Sequence, residues 1–367
     1  MSQQAIIKFA KYSVVMKEIL NYINNTSINY SSSQALVPTA VALGKFDGLH
    51  RGHQQVIKPV LERAKKQYGE DRRQGDQRNF SLSCVSPIAA VKERIRPTVI
   101  SFNPHPQEFF QGKPYPLLTP LNEKAQQLLS WGIEQLVLLP FDKELTALSP
   151  QDFVEKILVQ QLHARMISVG EDFCFGKHRS GTARDLQAIA TKLGIPVTIV
   201  PNCTYKEDRI SSSSIRQALT EGDLKRVSAL LGRPYTLSGN VVEGQQLDRI
   251  TGFPTANIHI LPNKRLPRQG VYAVRVFIKI ETANSCSLPD RLLPVAIGVM
   301  DIGCYSQTKN IQQPVKVHLL NWSGDLYGKK LTVQLEKFLR PEQKFVSLEN
   351  FKAQKKTDCA IASSLLG

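Results

Sequence analysis

The sequence predicts an α/β domain followed by a small antiparallel β-barrel and a C-terminal helix. Three observations carry that reading. Apolar, β-branched runs alternate with helical spacings from Thr39 to Val200. A glycine-punctuated turn, Gly44 to Gly52, joins the first run to the first helix. After Gly232 the pattern changes to short β-rich runs separated by turn signals such as Ser323-Gly324-Asp325. Strands alternating with helices imply βαβ units and a parallel sheet, whereas closely spaced short strands imply an antiparallel barrel.

Taken in order, residues 1–36 read as an extension that is poorly ordered or weakly helical. Thr39 to Leu43 is a strand and Gln54 to Lys66 a helix. The charged segment from Gln67 to Arg96 reads as an inserted surface loop, too long for an ordinary α-to-β connection. Thr98 to Phe102 is a strand, Asn122 to Trp131 a helix and Gln135 to Leu139 a strand. Pro150 to Leu162 carries Phe153, Ile157, Leu158 and Leu162 at helical spacing, with Ser149 as its N-cap. Met166 to Gly170 and Ile195 to Val200 are strands, with Ala183 to Leu193 a helix between them. Asp223 to Leu231 forms one more short helix, so the domains divide as 37–222 and 223–367. Barrel strands follow at Tyr235 to Val242, Val271 to Ile278, Val295 to Met300, Val315 to Leu320 and Leu331 to Phe338. Pro341 to Ala362 closes the chain as a helix.

At 367 residues, with 42% hydrophobic and 21% charged residues, the composition is that of a globular chain of two domains. No apolar run approaches the roughly 20 residues needed to cross a bilayer, so no membrane association is expected. Residues 1–33 lack the apolar centre and small-residue cleavage site of a secretory signal. They leave a weak organelle address open. Six cysteines without paired spacing speak against zinc and disulfides and fit the reducing cytoplasm. The net charge of +16 suits either nucleic acid or polyanionic small substrates. Basic residues are spread along the chain, which favours nucleotides.

Four stretches carry chemistry. Strand, turn and helix in that order aim backbone N–H groups and a helix dipole at the turn Gly44-Lys45-Phe46-Asp47-Gly48-Leu49-His50-Arg51-Gly52-His53. Its natural guest is a phosphate. Gly44, Gly48 and Gly52 are expected to supply positive φ and close approach. His50 and His53, three residues apart at a helix start, share a face and can donate to one group. A plain βα turn would need neither the histidines nor three glycines. Next, Asn103-Pro104-His105-Pro106 follows a strand and presents His105 on a loop stiffened by two prolines. Gly170-Glu171-Asp172-Phe173-Cys174-Phe175-Gly176 sets carboxylates beside aromatics suited to a planar ring. Ser211 to Ser214 then opens a helix with hydroxyls, N–H groups and Arg216 for bidentate phosphate contact. In parallel sheets ligands sit beyond the carboxyl ends of the strands, where Gly44, Phe102 and Gly170 end their runs.

In this order the motifs resemble the bifunctional prokaryotic riboflavin kinase/FMN adenylyltransferases, also called FAD synthetases. The resemblance spans about residues 38–360 and continues through Gly252-Phe253-Pro254-Thr255-Ala256-Asn257-Ile258 and Gly324-Asp325-Leu326-Tyr327-Gly328. It implies a Rossmann-like HxGH nucleotidyltransferase domain that adenylylates FMN, and a six-stranded barrel that phosphorylates riboflavin. The expected cofactor is Mg²⁺, and the substrates are ATP, FMN and riboflavin. His50, His53 and Arg216 would be catalytic, and Gly44, Phe46, Gly48, Gly52, Ser211, Ser212 and Thr255 would bind ATP or its phosphates. Asn103, His105, Asp172 and Phe173 would hold the flavin, and Thr255 and Asn257 the metal. The family's Ser-Ser-Thr reads Ser211-Ser212-Ser213 here, which keeps a hydroxyl. No nucleic-acid partner is expected, and a transient homo-oligomer is left open.

The kinase half departs from the family pattern around one site. The family's general base, a glutamate before Val-His-Leu, is Lys316 in this chain, which reverses the local charge. Asn-Ile-Gly-x-Arg-Pro-Thr is Asp301-Ile302-Gly303-Cys304-Tyr305-Ser306-Gln307. Asp248 stands where a small residue is usual. The expectation is a weakened kinase that Lys316→Glu would improve, unless a neighbouring carboxylate such as Asp301 takes over. The alternatives are a monofunctional FMN adenylyltransferase with a degenerate barrel and a basic RNA-binding protein. The second lacks a basic helix and an aromatic platform. Pantetheine phosphate and nicotinamide mononucleotide are other substrates open to a two-histidine turn.

Overall fold

The computed structural model describes residues 13–15, 37–75, 94–242, 255–280, 291–303 and 315–367. The chain forms two compact units. One comprises residues up to Tyr115 with Leu121–Thr204, and the other Pro116–Pro120 with Tyr205–Gly367.

The first unit is built on a six-stranded sheet. Its strands are β1 (Ser13–Val15), β2 (Thr39–Leu43), β3 (Arg96–Asn103), β4 (Gln135–Pro140), β5 (Ala164–Gly170) and β6 (Val197–Val200). They lie in the order β1-β4-β3-β2-β5-β6, all parallel except β1. Alternation along β2 shows why the sheet is covered on both faces. Val41 and Leu43 point into one apolar cluster with Phe153, Ile157 and Leu186. Ala40 and Ala42 point into the other with Val56, Ile57, Val60 and Leu128. Both sets are buried, as a doubly wound parallel sheet requires. The layers on its faces include α1 (Arg51–Gly75), α3 (Leu121–Ser130) and α4 (Ala183–Lys192), while the short α2 (Pro106–Gln111) buries no residue.

Several expectations need correction. Ser13–Val15 is a strand antiparallel to β4, not a helical or disordered piece. Two adjacent valines favour extended backbone, and the outer edge of β4 offers unpaired N–H and C=O groups. Helix α1 runs from Arg51 to Gly75, so the first part of the proposed insertion loop is helical. Gln, Glu and Arg are good helix formers and carry it beyond Gly69. The remainder of that insertion, 76–93, and most of the N-terminal extension lie outside the described residues. Pro150–Asp152 is capped by Ser149 as expected, but Phe153–Gln161 continues as a π-helix. Its end is marked by the Leu162 N–H donating to the Ile157 carbonyl at 3.1 Å, five residues back.

The second unit holds α5 (Ser212–Glu221), α6 (Leu224–Leu231) and a closed antiparallel barrel. The barrel strands are β7 (Thr236–Val242), β8 (Ala256–Ile260), β9 (Gly270–Ile280), β10 (Arg291–Ile302), β11 (Val315–Leu319) and β12 (Lys330–Arg340). Their order is β7-β8-β11-β10-β9-β12, with β12 pairing back to β7. Closure leaves no free sheet edge. Strand β8 has no counterpart among the expected strands; it begins within the Gly252 to Ile258 motif and runs past its end.

The last helix, α7, spans Leu348–Leu366 and starts seven residues beyond the expected position, with Ser347 as its N-cap. Ala362, Cys359 and Leu366 pack against Val271, Ala273 and Val299 on the outer face of the barrel. Arg340 fixes the helix by a two-pronged pair with Asp358, Nε to Oδ1 at 3.0 Å and Nη2 to Oδ2 at 2.8 Å.

Candidate active site

In the first unit, β2 ends at Leu43 and α1 begins at Arg51, leaving seven residues for the turn between them. The expectation of positive φ at three glycines holds at Gly48 alone, where φ is 95°. Gly52 belongs to the first turn of α1, and Gly44 serves by having no side chain. A Cβ there would sit 3.3 Å from the Phe46 ring. The other left-handed positions are Phe46 (φ 49°) and Leu49 (φ 45°), two bulky residues. Such conformations cost on the order of 1–3 kcal/mol each and persist only where the surroundings over-determine them. Here both side chains are completely buried in the core, which holds the backbone in place.

His50 and His53 come together as predicted. Their rings stack with centroids 3.6 Å apart and planes 15° from parallel. The His50 Nδ1 accepts from the His53 backbone N–H at 3.3 Å, which makes Nε2 the protonated nitrogen of a neutral ring. Phe46 leans on His53 with centroids 5.1 Å apart. The pair sits at the N-terminus of a 25-residue helix, where the dipole favours an anion.

Beneath this turn lies a residue that sequence reasoning missed. Lys124 of α3 is buried, and its Nζ donates to the Lys45 carbonyl and to Ser101 Oγ, each at 3.1 Å. Ser101 Oγ donates to the same carbonyl at 2.9 Å. Burial pushes the Lys124 ammonium down from its ordinary 10.5 to about 8, and the buried Asp47 carboxylate acts in the opposite sense. The available signal was the position of the lysine within the stripe Lys124, Ala125 and Leu128, the buried face of its helix.

The other first-unit candidates lie on loops leaving the same end of adjacent strands β3, β2 and β5. Asn103 is exposed, and the Asn103–Pro104 bond is cis. His105 caps α2, its Nδ1 accepting from the Gln107 N–H at 3.2 Å, and stacks on Tyr115 with centroids 4.6 Å apart. Asp172 is exposed beside Gly170. Phe173 lies parallel to Phe175, centroids 5.6 Å apart.

Ser211, Ser212 and Arg216 belong to the second unit. Ser211 is the N-cap of α5, its Oγ accepting from the Ser214 N–H at 3.1 Å. Arg216 Nη1 donates to the Pro116 carbonyl at 2.7 Å, which binds α5 to the 116–120 segment. In the barrel, Asn257 of β8, Lys316 of β11 and Asp301 of β10 occupy one cross-strand row. The row continues to Val271 of β9 and Arg340 of β12. A cavity of about 520 Å³ lies over it, lined by Thr255, Asp301, Lys316, Glu342, Phe345 and Lys355 among others. The Thr255 hydroxyl oxygen is buried and makes no hydrogen bond among the described residues. Gly252 to Pro254, Asp248 and Cys304 to Gln307 lie outside the described residues. Among those described, no three His, Cys, Asp or Glu side chains form a metal cluster. No described helix is long and apolar enough to cross a membrane.

Comparison with known proteins places both units. Residues 32–70 and 86–214 match the FAD synthetase family, and residues 231–366 match the riboflavin kinase family. The bifunctional riboflavin kinase/FMN adenylyltransferase of Escherichia coli (strain K12) is 34% identical over 328 residues, 89% of this chain and 92% of that protein. Its counterpart in Listeria monocytogenes is 34% identical over 321 residues, 87% of this chain and 89% of that protein. A crystal structure described as a macrolide-efflux protein from Streptococcus pneumoniae superposes with a TM-score of 0.70 at 26% identity. It covers 89% of this chain and 93% of that one. Two matched domains in order, and a third of all residues identical across nine-tenths of the length, lead to one conclusion: the chain belongs to the bifunctional riboflavin kinase/FMN adenylyltransferase family.

Proposed function

We propose that this protein makes FAD from riboflavin in two ATP-dependent steps. The barrel unit phosphorylates riboflavin to FMN, and the parallel-sheet unit transfers an adenylyl group from ATP to FMN, releasing pyrophosphate. The observation that carries this reading is the stacked His50–His53 pair at the start of α1, in a chain that also has the closed barrel. The relatives that share both units are named for both activities.

The FMN phosphate is already a nucleophile at neutral pH, so adenylyl transfer needs alignment and charge stabilisation more than a protein nucleophile. Turn N–H groups, the α1 dipole and the ring N–H groups of His50 and His53 meet the phosphates of ATP. Gly44, Gly48 and Gly52 let the backbone approach, and Phe46 supports His53. Asn103, His105, Asp172 and Phe173 are the flavin-side contacts, a reading supported by the adjacency of β3, β2 and β5. Ser211, Ser212 and Arg216 are further phosphate contacts, supported by the order of motifs in the sequence.

In the barrel, Asn257 of β8 and Thr255 just before it offer neutral oxygen donors, and the Thr255 oxygen has no other use among the described residues. Such donors fit Mg²⁺, which keeps few protein ligands and is carried on substrate phosphates. When bound, the ion offsets the charge of the triphosphate. The reactions take place in the cytoplasm, on small molecules, without nucleic acid or membrane.

Isotope transfer tests the reading. Label from the α-phosphate of ATP should enter FAD when FMN is supplied. Label from the γ-phosphate should enter FMN when riboflavin is supplied. Absence of the first transfer would overturn the adenylyltransferase assignment, and absence of the second the kinase assignment.

A further inference from the structure

Lys316 stands between Asn257 and Asp301 in the barrel row, and an ammonium cannot take a proton from an alcohol. A phosphoryl transfer to a hydroxyl in this cavity needs a carboxylate or another acceptor nearby. Among the described lining residues the carboxylates are Asp301 and Glu342. Asp301 is the direct cross-strand neighbour of Lys316, so the two side chains project from the same face of the sheet. Its carboxylate is held by the Lys355 ammonium of α7, a lysine with only 4% of its side chain exposed. The Asp301 side chain itself is 34% exposed and lines the cavity, where a substrate hydroxyl can reach it. Glu342 lies beyond the end of β12, in the irregular 341–347 segment. There its carboxylate rests over Gly303, 2.9 Å from where a Cβ would be. A group fixed on a strand and anchored by a second element is held more precisely than one on a loop.

We infer that Asp301 is the general base of the barrel reaction, with Lys355 as its positioning residue and Lys316 as a cation facing the transferred phosphoryl group. The inference rests on the kinase reading given above. In the step, the terminal hydroxyl of the flavin side chain gives its proton to Asp301 as its oxygen bonds to the γ-phosphorus of ATP. The bond from that phosphorus to the bridging oxygen breaks, and the electron pair leaves with ADP. Asp301 then releases the proton to solvent. Asn257, Lys316 and Asp301 thus form one strip in which oxygen ligand, cation and base stand side by side.

The test uses the full chain, with riboflavin binding as the control that the barrel is folded and FMN adenylyl transfer as the control for the other unit. Asp301→Asn should lower kcat for riboflavin phosphorylation by about 100-fold or more, the usual range for a lost general base. Riboflavin affinity, read from quenching of flavin fluorescence, should stay within about threefold, as should adenylyl transfer, because Asp301 lies outside that machinery. If the lone Lys355 charge unfolds this variant, Asp301→Asn combined with Lys355→Met removes both charges and should show the same loss. A kcat within threefold of wild type in either variant overturns the assignment. So does a Glu342→Gln variant that alone abolishes phosphorylation, or a tenfold gain in Lys316→Glu, which would mean the native site has no base. A wild-type chain that makes FAD from FMN but no FMN from riboflavin overturns the kinase reading, and Asp301 falls with it.

Discussion

The ammonium of Lys124 donates to the carbonyl of Lys45 across 3.1 Å, tying helix α3 to the underside of the histidine turn. The carbonyl also takes the Ser101 hydroxyl, so one turn atom is fixed from two secondary-structure elements. Lys45 precedes Phe46, the first left-handed residue of the turn, and the contact therefore acts where backbone strain begins.

That contact has a measurable cost. Burial lowers the Lys124 pKa from 10.5 to about 8, so the unfolded chain binds its proton more tightly. The difference amounts to roughly 3 kcal/mol, carried in full below pH 8 and relieved as pH rises toward 10.5. Relative to Lys124→Met, the wild type should therefore gain about 2 kcal/mol of unfolding free energy between pH 7 and 9.5 in urea titrations. An unchanged difference would show that the lysine is not buried as a cation. The same variant should lose about tenfold in adenylyl transfer, since the turn loses a tether and a buried positive charge.

His50→Ala and His53→Ala should each lower kcat for FAD formation from FMN by roughly 100-fold or more, the scale of a lost transition-state donor. Because the rings stack and His50 accepts from the His53 backbone, the double variant should fall far short of the product of the two losses. Steady-state rates of all three variants check both statements.

Gly48 holds φ at 95°, a region that a Cβ disfavours. Gly48→Ala should destabilise the first unit by about 1–3 kcal/mol and slow adenylyl transfer while leaving riboflavin phosphorylation near wild type. Thermal melts and the two separate assays distinguish this local effect from general damage.

Asp358 is 1% exposed and receives both prongs of Arg340. Asp358→Asn removes the carboxylate and leaves a largely buried guanidinium uncompensated. It should cost about 3–5 kcal/mol and release α7 from the barrel, seen as a lower denaturation midpoint and faster amide exchange along α7.

The legible part of this protein was whatever local pattern controls. Thr39 to Leu43 reads as a strand because Thr39 and four apolar residues precede a glycine turn, and β2 has those bounds. The histidine pair was visible because a spacing of three at a helix start puts two rings on one face. Less legible were features set by packing between distant segments. The left-handed Phe46 and Leu49 are permitted by burial in a core whose other walls come from α1, α3 and the sheet. The burial of Lys124 depends on carbonyl and hydroxyl partners 79 and 23 residues away, which its own helix does not specify. Strand β8 is short, and its buried Ala256, Ile258 and Ile260 alternate with Asn257 and His259, a pattern that a motif of turn and ligand residues obscures. The Asn257–Lys316–Asp301 row depends on barrel register, which no single strand specifies.

The most direct test of the account is a time course with the purified chain, Mg²⁺–ATP and riboflavin, the flavins being separated by chromatography. Parallel reactions start from FMN. From riboflavin, FMN should appear first and FAD follow; from FMN, FAD should form at once. No FAD from FMN, in a folded protein with ATP and Mg²⁺ present, would contradict the account.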